Sequence, residues 1–226
     1  YAQLEDRCAR LAGVLAARGV GREDRVAILC RNRIEFFEVL FACAKLGAIL
    51  VPLNWRSPAS ELRALLEDCN PKLVVFGAED AETARALACP ALSFDDEYEA
   101  AVANAAPLRS EQRWAGDATW FLMYTSGTTG QPKGVIQTFQ MSVVNAFHVT
   151  QAFGLREADT TLNFLPLFHS AGIQLITLPT LIAGGTVVVM PGFDEARALS
   201  LMPRLDIFFG VPAVYQQLAL HPDFES

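Results

Sequence analysis

The sequence predicts an α/β fold in which a mostly parallel sheet is covered by helices on both faces. Short apolar runs, such as RVAILC at 25–30 and LVVF at 73–76, alternate with segments whose apolar residues recur every three or four positions. These runs are apolar on both faces, which is typical of strands in parallel sheets. With 226 residues, 52% of them hydrophobic and 19% charged, the chain can bury a core without disulfides or metals.

The first part of the chain is predicted to alternate helices and strands. A helix over Leu4–Leu15 is followed by one over Ile34–Leu46, which Gly47 ends. A third helix is predicted to have Ser57 as its N-cap and Pro58 as its first helical residue. The apolar runs between and after these helices predict strands at Arg25–Cys30, Ala48–Leu53 and Leu73–Phe76.

The second part continues the same alternation after a stretch rich in alanine and acidic residues. In that stretch Asp95-Asp96-Glu97 is interpreted as a solvated helix start, since three consecutive carboxylates cannot all face one metal ion. A soft boundary at 154–159 divides the chain into predicted subdomains of about 1–155 and 156–226. The predicted elements, in order, are a strand at Thr119–Tyr124, a helix at Thr138–Phe153, a strand at Thr161–Leu165, a helix at about Ser170–Ile182, a strand at Thr186–Met190, a short helix near Asp194–Met202, a strand at Leu205–Phe209 and a helix from Pro212.

Composition and charge exclude several classes of function. A net charge of -7 argues against a general nucleic-acid surface. Residues 160–193 lack charge, but three prolines and Gly184-Gly185 interrupt them, so no membrane span is predicted. Five cysteines without C-x-x-C spacing indicate buried thiols in a reducing compartment, which we expect to be the cytoplasm. The chain opens at Tyr1 within a predicted helix and without a signal-peptide pattern, so we expect a piece of a longer protein.

The segment TSGTTGQPKG at 125–134 has the composition of a polyphosphate-binding loop. Glycines let backbone N–H groups approach phosphates, hydroxyls donate to phosphate oxygens, and Lys133 supplies the only positive charge. We also expect the N-terminus of the following helix to add partial positive charge. A flexible connector is the alternative, and Walker A spacing is absent because Gly134 follows Lys133. The glycines are Gly127, Gly130 and Gly134, and the hydroxyl residues are Thr125, Ser126, Thr128 and Thr129.

Together with Tyr124 and Val135, this segment resembles the phosphate-loop signature of the AMP-forming adenylating enzymes. These comprise acyl- and aryl-CoA synthetases, adenylation domains of nonribosomal peptide synthetases, and beetle luciferases. Further landmarks are GAILVPLN at 47–54, LPLFHS at 165–170 and GVP at 210–212. The resemblance implies a layered α/β/α-type N-terminal domain with two mostly parallel sheets flanked by helices, of which residues 1–226 form an incomplete part. A connection near Pro203 is a couple of residues shorter than is usual in the family.

The resemblance implies a two-step reaction. A carboxylic acid attacks ATP to give an acyl-adenylate and pyrophosphate, and coenzyme A then takes the acyl group. Mg²⁺ assists, although its carboxylate ligand is expected downstream of this chain, and we expect the chain alone to form no acyl-CoA. An oligomer is compatible with the sequence. The resemblance implies catalytic roles for Lys133, Thr128 and His169, and ATP binding by Thr125, Ser126, Gly127, Thr128, Thr129, Gly130 and Lys133.

The LPLFHS turn is implied to border the acyl pocket, with His169 as a positioning group and not a general base. Without the resemblance, a histidine at a helix start is more often structural than ligand-binding. His148 and His221 are interpreted as structural or solvated. No acidic residue lies at 160–193 to pair an amino acid's ammonium group, which favours a fatty or aromatic acid. An amino-acid-activating domain and a nucleotide-binding module without catalysis are the alternatives. The pocket residues implied by the resemblance are Phe168, His169, Ser170, Ala171 and Gly172.

Overall fold

A computed structural model describes residues 1–109, 112–126 and 132–225 of the chain. The helix over Ile34–Leu46 has the predicted bounds, and Gly47 ends it at φ 66°, a left-handed conformation that favours glycine. The third helix begins one residue later than predicted, because Pro58 has ψ 152° and is an extended N-cap. The elements are α1 (Ala2–Ala17), β1 (Arg25–Leu29), α2 (Ile34–Leu46), β2 (Ile49–Pro52), α3 (Ala59–Cys69), β3 (Leu73–Phe76), α4 (Ala81–Ala86), β4 (Ala91–Ser93) and α5 (Tyr98–Asn104).

The main sheet continues with β5 (Thr119–Ser126) and β6 (Pro132–Thr138). Among the described residues it has six strands in the order β4-β3-β1-β2-β5-β6. All neighbouring strands are parallel except β5 and β6, which form an antiparallel hairpin. Because the strands from β4 to β5 run in one direction, their carboxyl ends lie at the same edge of the sheet.

Helices cover both faces of this sheet, as predicted. Alternate residues of a strand point to opposite faces, and both sets are buried in β1. On the other face, the Trp120 indole N–H donates to the Leu40 carbonyl of α2 at 3.1 Å, which joins β5 to that helix. The fold class predicted from the sequence is therefore confirmed. The cluster on the first face contains Ala27, Leu29, Val51, Leu53, Leu62, Leu65, Leu66, Cys69, Val74, Phe76, Ala84 and Leu87.

The chain divides into two compact units, residues 1–141 and 142–226. The division lies within α6 (Phe139–Phe153), and the subdomain limits of 1–155 and 156–226 stay a prediction. No helix in the described part of the chain is long and apolar enough to cross a membrane. The second unit continues with β7 (Thr160–Asn163), a π-helix (Ala171–Thr177), α7 (Leu178–Ile182), β8 (Thr186–Val189), α8 (Glu195–Leu201), a 3₁₀ turn (Met202–Arg204) and α9 (Pro212–Leu220).

Of two predictions for the second unit, the helix forms with a mixed type and the strand is wrong. The predicted helix at 170–182 is half π-helix, with α-helix only over Leu178–Ile182. The predicted strand at 205–209 does not form: it makes a single bridge, between Ile207 and Thr161 of β7. Beside that bridge the Asp206 carboxylate accepts the Thr160 backbone N–H at 2.8 Å, and Phe208 turns into an aromatic cluster, so no ladder develops.

The cysteine side chains are reduced and largely buried, as the sequence indicates. Burial raises the pKa of Cys8 to about 12 and that of Cys69 to about 11. Little thiolate therefore exists at neutral pH, and these side chains act as small apolar groups. Cys8, Cys30, Cys43 and Cys69 are buried, and Cys89 is half-buried.

A charged network joins three helices of the first unit. Glu38 of α2 is buried, and its carboxylate accepts hydrogen bonds from Arg7 Nε of α1 at 2.5 Å and from the Tyr98 hydroxyl of α5 at 2.6 Å. Arg7 also donates to Glu99 at 2.6 Å. Two helices thus supply partners for this buried carboxylate, which offsets the cost of removing its charge from water.

Replacing Arg7 with alanine should therefore destabilise the fold. We expect Arg7→Ala to lower the free energy of unfolding by about 3 kcal/mol, because the buried Glu38 charge loses its cation. The matched control is Arg22→Ala, whose exposed pair with Glu23 at 3.3 Å should contribute less than about 1 kcal/mol. Urea unfolding measures both changes, and equal values for the two variants would contradict the assignment.

Candidate functional site

The described residues of the predicted phosphate-binding segment, 125–126 and 132–134, lie in the antiparallel strands β5 and β6. Thr125 and Lys133 are directly opposite each other in the antiparallel register. Directly opposite residues share one face of a hairpin, and both of these are exposed. A hydroxyl and an ammonium group therefore stand together at the carboxyl end of β5, and Ser126 is the last residue of that strand. The predictions for Gly127, Thr128, Thr129 and Gly130 lie outside the described residues.

The expected contribution of a helix N-terminus to this loop is wrong. The segment after the loop is a strand, Pro132–Thr138, and α6 begins only at Phe139. Seven extended residues span roughly 20 Å. The field of a helix end falls off within one turn, so α6 adds no positive charge at the loop. The β-branched pair Val135-Ile136 is the signal for a strand that the sequence analysis missed.

The same edge of the sheet carries a basic and aromatic cluster that the sequence analysis did not single out. Arg31 follows β1, and its guanidinium carbon lies 3.2 Å from the centre of the Trp55 ring, which follows β2. Arg56 stacks on the same indole at 4.6 Å. Asp80, after β3, is buried; desolvation raises the pKa of its carboxyl group, and the charge of Arg31 opposes that shift. Two guanidinium groups thus stand at the edge where β5 also ends.

The LPLFHS turn of the second unit combines one buried and one exposed ring. Phe168 is buried, and its ring centre lies 4.5 Å from that of His169, which is exposed together with Ser170. The His169 backbone N–H donates to the Pro166 carbonyl at 3.1 Å, and its own carbonyl accepts from Gly172 at 3.2 Å. The turn therefore presents the imidazole at the surface of this unit.

A buried asparagine, also missed from the sequence, organises this turn. The Asn163 side chain, at the end of β7, donates to the Gly172 carbonyl at 2.7 Å and to the Thr177 hydroxyl at 2.6 Å. Its oxygen accepts the Leu165 backbone N–H at 3.0 Å. One amide thus connects a strand, a turn and a π-helix, an irregular element often found at functional sites.

Gly172 allows the closest backbone approach in this region. A Cβ at this position would lie 2.5 Å from the Pro166 carbonyl oxygen and 2.7 Å from that of Leu165. The π-helix can therefore pack on the turn only if residue 172 has no side chain. Ala171, the neighbour before it, is half-buried. That these two residues border an acyl pocket stays a prediction.

Carboxylates do not assemble into a metal centre in the described ranges. No group of three or more His, Cys, Asp and Glu side chains there could hold a metal ion. In the acidic run at 95–97, Asp95 pairs with Arg33 at 3.2 Å and accepts the Ala78 backbone N–H at 2.8 Å. Glu97 is the N-cap of α5. The run therefore precedes a helix, in agreement with its interpretation as a helix start.

The hairpin and the turn carry two of the motifs on which the resemblance to the adenylating enzymes rests. A family model described as "AMP-binding enzyme" matches residues 1–226. The chain belongs to the AMP-binding enzymes. It spans about half the length of the relatives that it matches.

Similar proteins of this family include CoA ligases. Feruloyl-CoA synthase of Amycolatopsis sp is 40% identical over 228 residues, which cover 100% of this chain and 46% of that protein. Long-chain-fatty-acid–CoA ligase FadD13 of Mycobacterium tuberculosis is 36% identical over 235 residues, covering 99% and 46%.

Solved structures share the fold of this AMP-binding enzyme. The inhibitor-bound N-terminal domain of FACL13 from Mycobacterium tuberculosis has a TM-score of 0.91 at 34% identity, covering 100% of this chain and 59% of that one. ATP-bound MatB from Rhodopseudomonas palustris has a TM-score of 0.89 at 30% identity, covering 98% and 46%.

The tight contact at Gly172 predicts a position-specific effect of one methyl group. We expect Gly172→Ala to lower the free energy of unfolding by about 1–3 kcal/mol, because its Cβ would overlap two backbone carbonyls. Gly192→Ala is the control, since no atom lies within 4 Å of a Cβ there. Urea unfolding compares the two, and an equally stable Gly172→Ala variant would show that the turn can move aside.

Proposed function

We propose that the whole protein is an ATP-dependent acid–thiol ligase. It would activate a fatty or aromatic carboxylic acid as an acyl-adenylate, release pyrophosphate, and transfer the acyl group to coenzyme A. The observation that carries this proposal is the hairpin of an AMP-binding enzyme, with Thr125 and Lys133 on one exposed face at the carboxyl edge of a parallel sheet. Open α/β sheets bind their ligands at that edge.

The proposed role of the hairpin is to hold the phosphates of ATP. Attack of a carboxylate on the α-phosphate brings two anions together, so their charge must be compensated in advance. Lys133 would bind the β- and γ-phosphates and follow pyrophosphate as it leaves. The hydroxyl and glycine residues at 125–130 would supply the remaining donors, and Thr128 would also have a catalytic role.

The same donors suit a magnesium-bound triphosphate. Mg²⁺ prefers oxygen ligands, keeps several waters and is commonly bound through substrate phosphates. When bound, it would neutralise part of the phosphate charge. The exposed Thr125 hydroxyl offers an oxygen at the hairpin that could act as a ligand of Mg²⁺. We propose no carboxylate ligand for Mg²⁺ within residues 1–226.

The LPLFHS turn supports an acid without an amino group. It contributes the uncharged side chains of Phe168 and Ser170 and the imidazole of His169, and no carboxylate lies at 160–193. A desolvated ammonium group would have no counter-charge there. Two similar proteins are named for ferulate and for long-chain fatty acids, neither of which carries an ammonium group. We propose that His169 positions the acid and that residues 168–172 border it.

Substrate profiling separates this function from its alternatives. ATP–pyrophosphate exchange by the full-length protein would be measured with ferulate, dodecanoate and phenylalanine. Exchange with either of the first two, followed by CoA thioester formation, supports the proposal. Exchange with phenylalanine alone indicates an amino-acid-activating domain, and nucleotide binding without exchange indicates a binding module. The cytoplasmic location, the oligomer and the inactivity of residues 1–226 alone stay predictions.

Lys133 is the first residue to test. We expect Lys133→Ala in the full-length protein to raise the KM for ATP by about tenfold or more, since a charge-assisted hydrogen bond to phosphate is lost. Lys72→Ala is the control, because Lys72 is an exposed lysine just before β3, at the opposite edge of the sheet. Exchange assays at saturating acid give both values. An unchanged KM in Lys133→Ala would remove Lys133 from the ATP site.

His169 should affect the acid more than the nucleotide. We expect His169→Ala to raise the KM for the best acid by roughly 3–10-fold, the value of one neutral hydrogen bond, and to leave the KM for ATP within twofold. His148→Ala, which changes an exposed histidine of α6, should alter neither. A change confined to ATP would contradict a role at the acyl pocket.

A further inference from the structure

We propose that Asp68 and Tyr124 form a positioning pair that fixes the orientation of the ATP-binding hairpin. The inference rests on the proposed function of that hairpin. It assigns a role to two residues that do not belong to the exposed face of Thr125 and Lys133. They would act on ATP binding through the geometry of the strands and not by contact with the nucleotide.

The pair links the hairpin to a helix that packs on the sheet. The Tyr124 hydroxyl donates to Asp68 Oδ2, near the end of α3. The Tyr124 ring also packs against the apolar cluster that contains Leu66 and Cys69 of the same helix. Burial raises the pKa of Tyr124, and the hydrogen bond to Asp68 raises it further, so the phenol stays a donor at neutral pH. Tyr124 therefore contacts α3 through its ring, which packs on apolar side chains, and through its hydroxyl, which donates to Asp68.

The hairpin needs such a contact because its strands continue past the last residue pair between β2 and β5. The parallel register of β5 with β2 is confined to one pair, Phe121 opposite Leu50. The rest of β5, from 122 to 126, pairs with β6. β6 is itself an edge strand, and most of its residues are exposed. Within the described residues, sheet pairing alone therefore does not hold the loop end of the hairpin.

Because side chains alternate along a strand, the contact between Tyr124 and Asp68 also determines the direction in which Lys133 points. Tyr124 and Thr125 are neighbours in β5 and point to opposite faces of the hairpin. Tyr124 lies opposite Gly134 in the register. A Cβ added at residue 134 would be only 3.2 Å from the tyrosine Cζ, so the ring occupies the space that a side chain at residue 134 would need. With Tyr124 bound to α3, Lys133 must face the other way. A slip of one residue would reverse both faces.

The test uses ATP–pyrophosphate exchange by the full-length protein with its best acid of the panel above. We expect Tyr124→Phe and Asp68→Ala each to raise the KM for ATP by roughly 3–10-fold, with the KM for the acid within twofold. The double variant should be no worse than either single variant, because both remove one contact. Asp68→Asn keeps an acceptor oxygen and should restore most of the affinity for ATP.

A control separates positioning from general loss of stability. Tyr98→Phe removes another tyrosine hydroxyl, the one that donates to buried Glu38. It should lower the melting temperature and leave the KM for ATP unchanged. If Tyr98→Phe raised the KM for ATP as much as Tyr124→Phe does, the pair would have only a structural role and the inference would be overturned.

Comparison with Lys133→Ala distinguishes failure of this inference from failure of the proposed function. A raised KM for ATP in Lys133→Ala, together with normal values in Tyr124→Phe and Asp68→Ala, would overturn the positioning role alone. Normal values in all three variants would overturn the ATP assignment of the hairpin and this inference with it. Equal increases in KM for ATP and for the acid would also contradict a role specific to the hairpin.

Discussion

The parallel ladder is the constraint on which the rest of this structure depends. β1, β2, β3 and β5 run in one direction, so the segments that leave their carboxyl ends meet at one edge of the sheet. Arg31 follows β1, Trp55 follows β2 and Thr125 lies near the end of β5, so the parallel pairing brings these positions to the same edge. Reversal of any one strand would move its segment to the opposite edge. The direction of the strands therefore determines which side chains can meet at this edge.

Charge is distributed differently in the interior and at this edge. Inside, the buried Glu38 carboxylate is matched by Arg7 and by the Tyr98 hydroxyl, so its partners are part of the protein. At the edge, Lys133 is exposed on the hairpin and its positive charge faces outward. This contrast agrees with a structural role for the first group and with a ligand-binding role for the second. The whole chain has a net charge of -7, so the positive charge at this edge is a local feature and not a property of the whole chain.

The second unit builds its turn from buried polar groups and close backbone contacts. Asn163 connects three segments through one amide, and Gly172 allows the π-helix to approach the preceding carbonyls. Exposed His169 is therefore carried by a turn whose backbone is tied to buried polar groups. Such a turn suits a positioning group, because a side chain is only as well placed as the backbone that carries it.

The sequence by itself determined the α/β class and the bounds of α2 and β3, and it predicts a phosphate-binding role for 125–134, because apolar periodicity and glycine-hydroxyl composition are local signals. The tertiary structure decided the rest. It showed that a strand, β6, lies between the loop and the helix predicted at 138–153, that residues 205–209 form only a single bridge, and that Tyr124 contacts Asp68. Each of these depends on what a segment finds beside it after folding: an antiparallel partner for β6, a side-chain acceptor at Asp206, and a carboxylate 56 positions away in the chain. Local patterns carry no information about such distant neighbours, and so only the folded chain reveals them.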